Sequence, residues 1–158
     1  MTRISSALKA LAVAMVASSP LLVAAADTQN LNVTATVTGK CKFTSSVQTF
    51  GFGALDPSAA VLTNGAGAAV TYKCTKGTAS AGVTAGNGSN FSGGSRRMTN
   101  GTDFIPYSLT LSGGTQTGLG FGSGNDLNLT LAGSVAAADY ENASAGSYSD
   151  TVLLSISP

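Results

Sequence analysis

Cys41 and Cys74 are the only cysteines of the chain, and no CxxC is present. A pair this far apart points to one structural disulfide rather than a redox dithiol or a metal site, provided the compartment is oxidising. Closing a loop of about 34 residues would stabilise a fold by roughly 3–4 kcal/mol in the chain-entropy account. The glycines of GLGFGSG (residues 118–124) invite comparison with a phosphate loop. GxxxxGK[ST] is missing, however, and no helix follows whose N-terminus could hold an anion. Running into Asn125 and Asp126, the same stretch resembles one copy of a calcium-binding nonapeptide, a motif that works only in tandem because successive turns share each ion. Asp139, Glu141 and Asp150 could suggest paired carboxylates, but without a partner in a contrasting environment they read as solvated loop acids. Arg96-Arg97 is the one dense positive spot and is too small to track phosphates.

Composition narrows the chemistry further. The 158 residues contain no histidine, which removes Ser-His-Asp and Cys-His relays, His-ligated metals and imidazole acid–base catalysis. Only 9% of residues are charged and the net charge is +1, which leaves no electrostatic footprint for nucleic acid. No enzyme reading and no cofactor gains support from these residues. Six sequons, at Asn32, Asn87, Asn90, Asn100, Asn128 and Asn142, are a by-product of a Ser/Thr/Asn-rich composition.

The elements that must position these residues are strands. Residues 1–26 read as a secretory signal peptide: Arg3 and Lys9, an apolar run ALAVAMV broken by Pro20, and Ala24 and Ala26 at an A-x-A site. Export satisfies the oxidising condition for a Cys41–Cys74 bridge. In residues 27–39, Leu31, Val33, Ala35 and Val37 alternate with Asn32, Thr34, Thr36 and Thr38, the pattern of a half-buried strand. Further strands are expected at 47–52, 69–74, 81–85, 104–111, 127–134 and 151–157, separated by Gly and Asn turns. Counting the segment at 27–39, seven short strands of this kind predict an all-β immunoglobulin-like sandwich, six of them in a domain spanning residues 40–158. The alanine-rich SVAAADY from Ser134 is too short for more than a connection.

The two ends of this arrangement do not balance. The first strand lies ahead of the first cysteine, and its about 13 residues could reach roughly 40 Å when extended, the length of a sandwich. At the other end the sequence stops directly after the 151–157 strand, with nothing to cover an apolar edge beside it. A strand from another molecule would cover it.

The pre-cysteine strand LNVTATVTGKC, the Phe50-Gly51 step, VTYKCTKG, Arg96-Arg97-Met98, PYSLTL, LAGSVAA and the C-terminal GSYSDTVLLSIS occur in this order along the chain. On these pieces the sequence resembles the spore coat protein U domain family, which includes pilins of archaic chaperone-usher (Csu-type) pili. The resemblance implies an incomplete immunoglobulin-like β-sandwich completed by donor-strand exchange. Leu31, Val33, Ala35 and Val37 would then plug a neighbour's groove, and Val152, Leu154 and Ile156 (or Leu153, if the register slips by one) would form part of the groove floor. Gly146, Tyr148 and Asp150 would form the corner before the last strand, with the Tyr148 hydroxyl bonded to nearby backbone. Implied partners are identical or related pilin subunits, a periplasmic chaperone and an outer-membrane usher. The implied function is a structural subunit of a secreted surface pilus that supports adhesion and biofilm formation. Two departures from the family pattern are Gly118-Leu119-Gly120 in place of an aromatic and Pro158 at a C-terminal position that is frequently aromatic. A secreted spore-coat or matrix protein assembling without an usher is the alternative. A carbohydrate-binding module would show clustered exposed aromatics, and this chain has no Trp, four Tyr and six Phe.

Overall fold

The computed structural model describes residues 26–45, 47–67, 69–79 and 82–158. The expected signal peptide therefore lies outside the described residues, Ala26 excepted. Contacts divide the chain into a unit ending at Ala35 and a unit running from Thr36 to Pro158. In the first unit, residues 26–35 are exposed and carry no regular secondary structure, although alternation predicts a strand there. A strand exists through ladder bonds to a neighbour, and none is formed by these residues.

Among the described residues the second unit has twelve short strands: β1 Cys41–Phe43, β2 Phe50–Gly51, β3 Thr63–Asn64, β4 Ala66–Gly67, β5 Val70–Cys74, β6 Gly82–Ala85, β7 Arg96–Thr99, β8 Phe104–Tyr107, β9 Thr110–Ser112, β10 Leu127–Ala132, β11 Ser134–Val135 and β12 Leu154–Ser157. The largest sheet has the order β1-β5-β10-β9, and the remaining strands pair as β11-β3, β12-β6, β2-β4 and β7-β8, all antiparallel. The molecule is an all-β sandwich of small sheets, and its only helical pieces among the described residues are single 3-10 turns at Pro57–Ala59 and Ala137–Asp139.

Period-two patterning sets which face is buried. Along β5, Val70, Tyr72 and Cys74 are buried while Thr71 and Lys73 point the other way, and along β10 Leu127 and Leu129 are buried between outward Asn128 and Thr130. These five inward residues make one core cluster, against which Phe43, Val83, Leu111, Leu131, Leu154 and Ile156 pack. The β12-β6 pair thus covers the inner face of the four-stranded sheet. A second cluster joins Ile105, Val135 and Tyr140 to Phe52, Leu55, Met98 and Tyr148.

Two of the strands expected from sequence are each split. The 104–111 run becomes β8, paired with β7, and β9, paired with β10; the 127–134 run becomes β10, paired with β9, and β11, paired with β3. Both bends meet at one point. The Ser108 amide donates to the Ser134 carbonyl at 2.9 Å, the Ser134 amide donates to Ser108 Oγ at 2.8 Å, and Gly133 packs so closely that a Cβ there would lie 2.4 Å from the Ser108 carbonyl oxygen. Alternation continues through such a corner, which is why hydrophobic pattern alone reads each run as one strand. The short strands β1, β3, β4 and β7 were not expected, since two to four residues hold too little pattern to be seen.

Cys41 and Cys74 are bonded and sit directly opposite one another in the β1-β5 register. Reduction, or a Cys41→Ser/Cys74→Ser double change, should lower unfolding free energy by roughly 3–4 kcal/mol, read as a shift in denaturant midpoint between oxidised and reduced protein. Gly133→Ala should cost about 1–3 kcal/mol, because the Cβ would press on the Ser108 carbonyl oxygen and, 3.0 Å away, on the Phe50 ring; an unchanged melting temperature would show that the corner relaxes freely.

Candidate functional site

The expected last strand has one free side. Among the described residues β12 is hydrogen-bonded only to β6, and β1 only to β5. β1 and β12 approach one another with no ladder between them. Next to this gap is an open groove of about 590 Å³, walled by Phe43 of β1, Phe50 of β2, Val70 of β5, Leu131 of β10, and Val152 and Leu154 at the last strand.

The register of that strand is set by packing. Val152, Leu154 and Ile156 are half-buried, whereas Leu153 is 73% exposed and Ser155 and Ser157 are exposed. Even-numbered residues therefore face inward. Val152 and Leu154 line the groove; Ile156 packs instead against the first core cluster, opposite Val83. The ladder is shorter than the expected 151–157, but the edge continues upstream through bonds from the Gly86 amide to the Leu153 carbonyl (2.9 Å) and from the Ser89 amide to the Thr151 carbonyl (3.1 Å).

Leu31, Val33 and Val37 are 85%, 84% and 80% exposed, and Ala35 is exposed as well. A monomer that leaves this row of apolar side chains in water while also presenting an apolar groove carries two surfaces that each lack a partner.

Before the last strand, the chain turns over a hydrogen-bonded corner. The Tyr148 hydroxyl donates to the Ser144 carbonyl at 2.9 Å, and the Ser144 amide donates to Asp103 Oδ2 at 2.9 Å. The Ser144 hydroxyl first, and its amide second, hold the Asp103 carboxyl below its usual range. Gly146 is exposed beside the Asn100 side chain. Asp150 lines the groove and is fully engaged: Tyr107 donates its hydroxyl to Oδ2 at 2.7 Å, while the amide and side-chain nitrogen of Asn90 donate to Oδ1 at 3.2 and 3.1 Å. Burial, and then the hydrogen bond to the Asp150 carboxylate, push the Tyr107 phenol well above the ordinary tyrosine value. Asp150 is thus a buttress of the groove wall, different from the solvated loop acid its neighbourhood in sequence suggested.

The wall opposite the last strand, with Phe43, Phe50 and Leu131, was not singled out from sequence. A signal for part of it was present: the odd-numbered apolar alternation that starts at Leu31 runs on through Cys41 and Phe43. Among the described residues no group of three or more His, Cys, Asp or Glu side chains could hold a metal ion.

A family model for the Spore Coat Protein U domain matches residues 27–155. The chain belongs to the spore coat protein U domain family. That match runs from the exposed alternating segment into the last strand. Among solved structures, the chain is similar to the crystal structure of the CsuC-CsuE chaperone-tip adhesion subunit pre-assembly complex from archaic chaperone-usher Csu pili of Acinetobacter baumannii, with 18% identity and a TM-score of 0.45. The likeness covers 77% of this chain and 40% of that one. No curated protein matches the sequence.

Tyr107 supplies a pH test. A phenol whose folded pKa is raised contributes stability that is fully present below the unfolded value near 10 and is lost as pH rises through the folded value. Tyr107→Phe should cost about 1 kcal/mol at neutral pH, and the gap between wild type and variant should shrink at strongly alkaline pH in parallel denaturant titrations. A gap that stays constant with pH would refute the Tyr107–Asp150 coupling.

Proposed function

We propose that the chain is a structural subunit of a secreted surface pilus of the archaic chaperone-usher type, polymerising by donor-strand exchange. One observation carries this reading: β1 and β12 flank an apolar groove without pairing, while the same chain exposes a strand-patterned row, Leu31, Val33, Ala35 and Val37. A strand laid in this groove along the open edge of β12 would meet unpaired backbone there and bury alternate side chains against the groove walls. Full burial of Leu31, Val33 and Val37 would contribute roughly 5–9 kcal/mol before the costs of association are subtracted.

The contact is heterologous, since the donor and acceptor surfaces differ, and each added copy leaves one of each exposed. Contacts of that kind generate open filaments wherever the rotation between copies does not close a ring. Until a neighbour arrives, the groove needs a temporary occupant, the role of a periplasmic chaperone; an outer-membrane usher would exchange that occupant for the next subunit's strand. Residues 1–26 would route the chain to the periplasm, and adhesion and biofilm formation would be properties of the assembled fibre. The role is structural and calls for no cofactor or titrating catalytic group.

Removing residues 27–38 should leave an oxidised, folded subunit that binds a synthetic peptide of the same sequence yet forms no fibres by electron microscopy. Fibres from the truncated chain would sink the proposal. Assembly of the full chain in cells lacking any usher would favour the spore-coat or matrix alternative.

A further inference from the structure

The glycine-rich loop that carries no ligand chemistry presents two large apolar side chains, Leu119 at 53% and Phe121 at 50% exposure. Exposed apolar residues are common singly, but this loop is held firmly. The Gly118 amide donates to the Thr78 carbonyl at 2.8 Å and the Gly77 amide to the Gly118 carbonyl at 2.9 Å. The Gly120 amide donates to the Cys74 carbonyl at 2.9 Å, and Asn125 Nδ2 and Lys73 Nζ donate to the Leu119 and Gly122 carbonyls, both at 2.9 Å. A Cβ on Gly118 would lie 2.3 Å from the Thr75 carbonyl oxygen, so the base of the loop rests directly on the turn at residues 74–78.

The same turn holds the root of the N-terminal segment. The Thr75 amide donates to the Lys40 carbonyl at 2.8 Å, the Lys40 amide donates to Thr75 Oγ1 at 3.0 Å, and Gly39 lies against the Thr78 side chain. From Val37, the last of the alternating apolar residues, to Cys41 there are four Cα steps, at most about 14 Å. If a second copy holds Val37 in its groove, the tether keeps the body of that copy within this distance of Cys41. It must then stand at the pole where the 118–124 loop sits. That copy offers apolar surface in return, for Val47 and Leu153 line its groove at 99% and 73% exposure.

We propose that Leu119 and Phe121 form a second contact with the neighbouring copy of this chain that accepts its N-terminal strand. The inference rests on the strand-exchange reading above. It adds an apolar buttress at the base of the tether, limiting the swing that a three-residue linker would otherwise permit.

The test replaces Phe121 with the photo-crosslinker p-benzoylphenylalanine in the full chain and irradiates its fibres. A ladder of crosslinked multimers is expected; fibres that form but yield no intermolecular crosslink would overturn the inference alone. A Leu119→Ser/Phe121→Ser variant gives an independent reading. It should bind the residue 27–38 peptide as tightly as wild type while its fibres dissociate at a lower denaturant concentration, and an unchanged dissociation midpoint would count against the contact. Failure of the unmodified chain to form any fibre would overturn the strand-exchange reading and this inference with it.

Discussion

The cross-strand link between Cys41 and Cys74 is the constraint on which the rest of the arrangement depends. β5 lies between β1 and β10 and turns Val70, Tyr72 and Cys74 into the core. β1 is only three residues long, too short for its ladder alone to hold it firmly. The disulfide fastens it to β5, and the Thr75 bonds to Lys40 extend that attachment one residue further. Phe43, one wall of the groove, and Gly39, the root of the exposed segment, are therefore both positioned through β5. A tensile load on the N-terminal segment would enter the fold at its most buried strand.

A second economy concerns the aromatic residues. With 20 glycines, few charges and no tryptophan, the chain has little large apolar surface to bury. All four tyrosines serve twice, packing a ring against the core and bonding a neighbouring element through the hydroxyl. Tyr72 holds the Gly113 carbonyl, Tyr140 both accepts from the Val61 amide and donates to its carbonyl, Tyr148 holds the Ser144 carbonyl, and Tyr107 holds Asp150. Loops that could not be fixed by burial are fixed by these bonds.

Much of the fold was legible before any coordinates. Strict alternation in VTYKC and LNLTLA predicts the strands that are found there, and the pairing of the two cysteines follows from their number and the expected signal peptide. The corner at Ser108 and Gly133 was illegible, because alternation runs through it unbroken and only the pairing partners change. As one of the loop acids Asp150 reads as solvated, while the family resemblance sets it in the corner before the last strand; its bonds to Tyr107 and Asn90 span 43 and 60 residues of sequence and leave no local trace. The far wall of the groove is illegible for the same reason: Phe50 and Leu131 each lie in a family motif, but topology alone brings them together as one wall.

Sequence by itself determined the all-β class, the alternation of β5 and β10 and the presence of an apolar alternating segment ahead of the first cysteine. These properties are local, since each is written in the spacing of neighbouring residues. Tertiary structure decided which strand edges remain unpaired, that even-numbered residues of the last strand face inward, and that the 118–124 loop shares a turn with the root of the N-terminal segment. Those outcomes depend on contacts between residues dozens of positions apart, where the energy of packing and pairing is settled only once the whole chain has folded.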